Sequence, residues 1–187
     1  MESHNINPLS FLLLFMTLAI VPCIRPTHVQ AYNPTADDFI SSMCSKTPDQ
    51  NLCETAIRSD PRSSQATDPT SLSLLIIDIV KSRFSDAVKF DQDLSQKTQD
   101  PDVVQGLKKC ISLYEDVVIN SQVKSAIYAV KAGNPKFGEE AMTDAGNTAD
   151  FCQSEFPTGK IPPELPGQTQ SLHGISNVAA AIIKTLE

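Results

Sequence analysis

Histidine is scarce in this chain, and several sequence signatures of catalysis are absent. Of the three histidines, only His173 lies beyond residues 1–31. The sequence has no GxSxG nucleophile motif, no HExxH metal motif and no glycine loop of the phosphate-binding type. Because catalysis needs a nucleophile and a base held close together, we expect a protein that is not an enzyme and needs no cofactor.

Basic residues are outnumbered as well. The chain has 15 Lys and Arg against 22 Asp and Glu, which gives a formal net charge of −7. An acidic chain without a basic cluster binds nucleic acid poorly. Beyond the N-terminal segment, no apolar run is long enough to span a bilayer. We therefore expect neither nucleic acid nor a membrane as the partner.

The long apolar run lies near the N-terminus, from Leu9 to Val21. It is short for a membrane span, and Val29-Gln30-Ala31 follows with residues that suit a signal peptidase. This pattern predicts a secretory signal over residues 1–31, cut before Tyr32. A retained membrane anchor is the alternative, because the stretch "MESHNIN" before the run contains no Lys or Arg.

Four cysteines follow the predicted signal: Cys44, Cys53, Cys110 and Cys152. An even number of cysteines in a secreted domain predicts two disulfides, and four cysteines allow three pairings. Local geometry favours Cys44–Cys53 and Cys110–Cys152. Zinc binding is the alternative, but no CxxC pair occurs and His173 is the only histidine available, so we expect no metal.

Start and stop signals divide most of the chain into four long amphipathic helices. Asp68-Pro69 and Asp100-Pro101 each place an N-cap before a proline at the first helical position. Gly133 ends the second helix, and Asn134-Pro135 starts the third. The fourth follows the turn-rich stretch "PTGKIPPELPGQ", which places His173 on its opening turn, with no partner motif in view.

A different segment, "TADDFISSMCSKTPDQNLCETAIRSD", precedes these helices. It predicts two short helices that turn at Thr47-Pro48 and are cross-linked by Cys44–Cys53. No segment shows the sustained alternation typical of strands. We therefore predict an all-α protein: a helical hairpin and loop in residues 32–66, then an up-down-up-down four-helix bundle in residues 67–187, together one domain.

Two acidic pairs have ordinary explanations. Asp91 and Asp93 are two residues apart on a predicted helix and do not face each other, so we assign both to a solvated face. Glu139 and Glu140 are placed in the first turn of the third helix, where the helix dipole favours negative charge.

The corner "GNPKFGEEAMTDAG" is explained only in part by its own structure. Pro135 suits the start of a helix, and Phe137 begins the apolar stripe of that helix. Lys136 is unexplained, because a cation there meets the positive end of the helix dipole. The corner is either turn chemistry alone or a rigid surface that presents a cation to a partner.

Several stretches together resemble the plant invertase and pectin methylesterase inhibitor family. They are the N-terminal signal, "CSKTPDQNLC", "CISLYEDVV", "DFCQSEF" and "ISNVAAAIIKTL", and the resemblance covers about residues 36–186. It implies a four-helix bundle after a helical hairpin, the two disulfides favoured above, and a secreted inhibitor of a carbohydrate-active enzyme.

The corner is similar to the Pro-Lys-Phe loop of the invertase inhibitors. By resemblance, Pro135, Lys136 and Phe137 would enter the active-site cleft of an acid invertase and block sucrose, in a one-to-one complex in the cell wall or vacuole. Phe137 is then either a contact or part of the core. Gly138 departs from the pattern, because glycine loosens a first helical turn.

Two alternatives stay open under the same resemblance. The first is an inhibitor of pectin methylesterase that binds through the faces of the bundle. The second is a family member without inhibitory activity, such as an allergen-like pollen protein.

Overall fold

The computed structural model describes residues 35–187 of the chain. Every regular element in this range is helical, and no β-strand occurs within it. The all-α prediction is therefore confirmed. The apolar run and the predicted cleavage site before Tyr32 lie outside the described residues.

The N-terminal hairpin consists of α1 (Ala36–Cys44) and α2 (Gln50–Arg58). Thr35 and Asp38 form a reciprocal capping box at the start of α1, and the Asp49 side chain accepts the Leu52 N–H at 2.9 Å at the start of α2. The predicted turn lies between the two helices. A disulfide joins Cys44 to Cys53 across this turn.

The first long helix, α3, runs over Pro69–Lys97 and follows a short 3₁₀ turn at Ser63–Gln65. The Asp68 carboxylate accepts the N–H groups of Thr70 and Ser71, and Pro69 occupies the first helical position. This start agrees with the one predicted from Asp68-Pro69, because both signals act within a single turn.

The second long helix is continuous from Pro101 to Lys131 but is not uniform. It contains α4 (Pro101–Ser112), a π-helical segment (Leu113–Gln122) and α5 (Val123–Lys131). The π segment was not predicted, and it carries the buried residues Tyr114 and Val118. The ring of Tyr114 meets the ring of Phe84 edge to face, with centroids 5.3 Å apart, so this segment belongs to the core.

The last two helices are α6 (Pro135–Gln153) and α7 (Leu165–Lys184). The prediction for the start of α7 was wrong: the helix begins at Leu165, inside the turn-rich stretch, and His173 lies in its interior rather than on its opening turn. Proline is compatible with this start because Pro166 lies in the first turn, where its missing N–H has no helical partner to lose.

Each long helix packs against the next along the chain, and α7 returns to pack against α3, which closes a four-helix bundle. A disulfide between Cys110 and Cys152 fastens α4 to α6. The apolar stripes of α3 and α7 are buried in the shared core, including Leu72, Ile76, Val80, Phe84, Leu172, Ile175, Ala179 and Ile182.

Asp91 contradicts its assignment to a solvated face. Its side chain is completely buried, whereas Asp93 is exposed. Asp91 lies one helical turn after the buried residues Ala87 and Val88, so it continues the core stripe of α3. Burial raises its pKa to about 7, with partial opposition from the nearby Gln168 amide.

Candidate functional site

The corner between α5 and α6 is closed by two backbone hydrogen bonds. The Asn134 N–H donates to the Ala129 carbonyl at 2.9 Å, and the Gly133 N–H donates to the Val130 carbonyl at 3.2 Å. Gly133 has φ +73°, a conformation that costs glycine little. This is the Schellman arrangement, and it turns the chain sharply without any help from side chains.

Proline and the backbone, not asparagine's side chain, start α6. Pro135 occupies the first helical position, and the Phe137 N–H donates to the Asn134 carbonyl at 3.2 Å. Asn134 is the N-cap residue of α6, as Asn134-Pro135 predicts, but its side chain makes no capping hydrogen bond. The fixed φ of Pro135 and the two bonds of the preceding turn together make the corner rigid.

The corner presents both its cation and its ring to solvent. The Lys136 side chain is 59% exposed and Phe137 is 66% exposed, while Pro135 is half-buried. The prediction that Phe137 begins the apolar stripe of α6 is therefore wrong. Gly138 begins the buried face instead, followed by Met142 and Ala145. Because Phe137 is not part of the core, its ring is available to contact a partner.

Gly138 has a packing role that its sequence context does not reveal. A Cβ atom at this position would lie 3.2 Å from Cγ2 of Ile183 and 3.3 Å from Cγ2 of Val130. Glycine thus lets the first turn of α6 come close to both α5 and α7. The sequence predicts that Gly138 loosens this turn, whereas in the structure Gly138 allows the turn to pack tightly against two helices.

Lys136 has an anionic partner in the free protein. Its Nζ lies 2.8 Å from Oε2 of Glu139, and Nζ of Lys184 lies 3.2 Å from Oε1 of the same carboxylate. Lys136 and Lys184 hold the pKa of Glu139 below its ordinary value, and the hydrogen bond to Glu139 raises the pKa of Lys136.

This arrangement corrects the interpretation of Glu139. Neither Glu139 nor Glu140 lies in the first turn of α6, because the helix already begins at Pro135. Glu139 faces Lys136 one turn earlier and Lys184 at the end of α7. The carboxylate therefore offsets the unfavourable position of Lys136 near the positive end of the helix dipole.

An apolar depression of about 410 Å³ adjoins the corner. Phe137 and Asn134 line it from the corner, and Tyr128 lines it from α5 with its side chain 75% exposed. Sequence analysis missed Tyr128, although its position was informative: it falls between the buried positions Ala126 and Ala129, so it points away from the core stripe.

His173 has a partner that the sequence did not disclose. Its Nδ1 lies 2.8 Å from Oδ2 of Asp150 and 3.3 Å from the Gly146 carbonyl oxygen, so the side chain links α7 to α6. The structure gives this pair no contact with a serine or cysteine nucleophile among residues 35–187. We assign His173 to the packing of the two helices.

No group of three His, Cys, Asp or Glu side chains within residues 35–187 could hold a metal ion. None of the described helices combines the length and apolar character needed to cross a membrane.

Comparison with known sequences finds one family and two characterised relatives. Residues 38–182 match the family described as "Plant invertase/pectin methylesterase inhibitor". The chain is 38% identical over 144 residues to the cell wall / vacuolar inhibitor of fructosidase 1 of Arabidopsis thaliana, covering 77% of this chain and 67% of the relative. It is 28% identical over 157 residues to the pectinesterase inhibitor of Actinidia deliciosa, covering 83% and 79%.

Solved structures agree with the fold. A mutant form of a pectin methylesterase inhibitor from Arabidopsis aligns with a TM-score of 0.64 over 79% of this chain and 97% of that chain. A second pectin methylesterase inhibitor structure, from Arabidopsis thaliana, aligns with a TM-score of 0.57 over 80% and 96%. Both are 17% identical to this chain, so the similarity establishes the helical bundle alone.

Proposed function

Because the chain belongs to the plant invertase/pectin methylesterase inhibitor family, whose named relatives are inhibitors and not enzymes, we propose that it inhibits a plant acid invertase. Pro135, Lys136 and Phe137 enter the cleft in which the target cleaves sucrose. The inhibitor and the enzyme form a one-to-one complex in the cell wall or the vacuole, after secretion of the inhibitor.

The observation that carries this proposal is the exposure of Lys136 and Phe137 on a rigid corner. A retaining glycosidase works with two carboxyl groups close together, so its pocket attracts a cation. The backbone of the corner is already ordered by the turn at Gly133 and by Pro135. Little conformational entropy is therefore lost when the corner enters a cleft.

The relatives favour invertase as the target. The fructosidase inhibitor, a protein named for an enzyme of the sucrose-cleaving type, is 38% identical, and the pectinesterase inhibitor is 28% identical. The second relative supports a second candidate function, inhibition of pectin methylesterase through the faces of the bundle. A family member without inhibitory activity would match neither relative in function.

A charge deletion tests the proposal. Lys136→Ala should weaken inhibition of an acid invertase roughly thirtyfold or more, as expected for a charge pair that becomes buried in the complex. The melting temperature should stay unchanged, because Lys136 is exposed in the free protein. The inhibition constant and the melting temperature are measured on the same protein samples.

Lys89→Ala is the matched control. Lys89 also forms an exposed pair with a carboxylate three residues away, Asp86 at 3.1 Å, but it lies on α3 away from the corner. If Lys136→Ala inhibits invertase as well as Lys89→Ala does, the corner is only a turn. Inhibition of pectin methylesterase but not of invertase by the unaltered protein would establish the second candidate instead.

A further inference from the structure

Glu139 links the first half of α6 to the end of α7, two places that are distant in sequence. Its carboxylate receives Lys136 on one oxygen, at 2.8 Å, and Lys184 on the other, at 3.2 Å. Lys184 lies in the last turn of α7 and is 45 residues from Glu139 along the chain. The Glu139 side chain is only 15% exposed, whereas the lysine side chains are 59% and 62% exposed.

Lys136 and Glu139 alone would make a poor anchor for a carboxylate-lined pocket. Together they carry no net charge, and the Glu139 carboxylate would repel the carboxylates of the target. Glu140 and Glu187 also act on Lys136 from a longer distance. A corner with Lys136 as its only cation would therefore attract an anionic pocket weakly.

Lys184 changes this balance. It gives the three paired groups a net positive charge, and it provides Glu139 with a second partner that does not depend on Lys136. When Lys136 moves from Glu139 to a carboxylate of the target, Glu139 keeps a cation at 3.2 Å. A largely covered carboxylate is then not left unpaired, which would otherwise oppose the exchange.

We propose that Lys184 is a positioning residue of the target-binding site, which pairs with Glu139 so that Lys136 can exchange this carboxylate for one in the target enzyme. The inference rests on the proposed function, since it assumes that Lys136 enters an anionic cleft. It adds α7 to a site that the sequence confines to the corner.

The test compares association rates with an acid invertase at low and high salt. Lys184→Gln should slow association about threefold to tenfold at low salt, and the difference should shrink as salt screens the charges. Lys184→Arg should behave as the parent protein does. In the double variant Glu139→Gln/Lys184→Gln the unpaired carboxylate is gone, so its association rate should return to within about twofold of the parent rate.

Lys97→Gln is the matched control. Lys97 is also an exposed cation in the last turn of a helix, but α3 ends beside Asp100, which pairs with Lys160 beyond the end of α6. This is the end of the bundle opposite to the corner. Lys97→Gln removes the same charge and the same favourable contact with a helix dipole, and it should leave the association rate unchanged.

The outcomes separate this inference from the proposed function. If Lys136→Ala weakens inhibition but Lys184→Gln behaves like Lys97→Gln, Lys184 has no role and only the inference is overturned. A loss in Lys184→Gln that Glu139→Gln does not reverse also overturns it, because Lys184 would then contact the target directly. If Lys136→Ala has no effect, the proposed function fails and the inference fails with it.

Discussion

Replacing Asp91 by Asn should change how the stability of the bundle depends on pH. Asp91 is completely buried in α3, and neither of its carboxylate oxygens has a hydrogen bond of good geometry among the described residues. Tyr114 is one of the buried groups that its charge affects: the pKa of Tyr114 is raised first by burial and then by the negative charge of Asp91. A charged Asp91 is therefore poorly solvated in the core.

The sign of the effect follows from the two pKa values of the carboxyl group. The pKa of the Asp91 carboxyl group is 3.8 in the unfolded chain, the value of an ordinary aspartate, and about 7 in the folded protein. Between these values the unfolded chain has lost the proton and the folded protein has kept it. Rising pH therefore favours unfolding, and the contribution of the protonated carboxyl is full below 3.8 and lost as the pH rises to about 7.

The size of the change in unfolding free energy follows from the difference between the two pKa values. Each pH unit between the two pKa values is worth about 1.4 kcal/mol, so the whole interval corresponds to roughly 4 kcal/mol. Between about pH 4.5 and about pH 7.5 the parent should lose about 3 kcal/mol of unfolding free energy relative to Asp91→Asn, which has no proton to release. The stability difference between the two proteins should therefore shift in favour of the variant as the pH rises.

Urea unfolding followed by far-ultraviolet circular dichroism measures this difference, because the described fold is helical. Asp93→Asn is the matched control, since Asp93 lies on the same helix but is exposed. It should differ from the parent by the same small amount at both pH values. A difference between the parent and Asp91→Asn that does not change with pH would refute the reasoning, because Asp91 would then have the same pKa in both states.

Two further predictions concern α6. Replacing Cys110 and Cys152 by Ala removes a covalent link between residues that are 42 positions apart. In the chain-entropy model this should lower the unfolding free energy, measured by urea unfolding, by about 4 kcal/mol. A decrease of less than about 1 kcal/mol would contradict this prediction. His173→Ala should lower the melting temperature by breaking the contact with Asp150 but leave the inhibition constant near the parent value. Loss of all inhibition in a folded His173→Ala protein would show that His173 belongs to the site.

Features that depend on neighbours in sequence were predictable. The starts of α3 and α4 follow from Asp68-Pro69 and Asp100-Pro101, because a cap and a first-position proline act within one turn. The corner at Gly133 follows from the low cost of a positive φ for glycine. The hairpin was predictable because it is also a local feature: Cys44 and Cys53 are only nine residues apart.

Other features of the corner depend on which helices approach it. Phe137 was assigned to the core because its spacing fits a helical stripe, but Gly138 occupies that face, since Val130 and Ile183 pack closely against it. Glu139 and Lys184 are paired although most of α6, a loop and most of α7 separate them along the chain. Neither contact leaves a local signal in the sequence.

The burial of Asp91 shows most clearly the difference between what the local sequence determines and what tertiary packing determines. The sequence by itself determined that α3 is an amphipathic helix, because its apolar residues recur with a helical period. It did not determine how far along α3 the other helices reach, and an aspartate near the end of such a stripe is usually solvated. Only the tertiary structure, in which α7 and the π segment cover this part of α3, decided that Asp91 lies in the core.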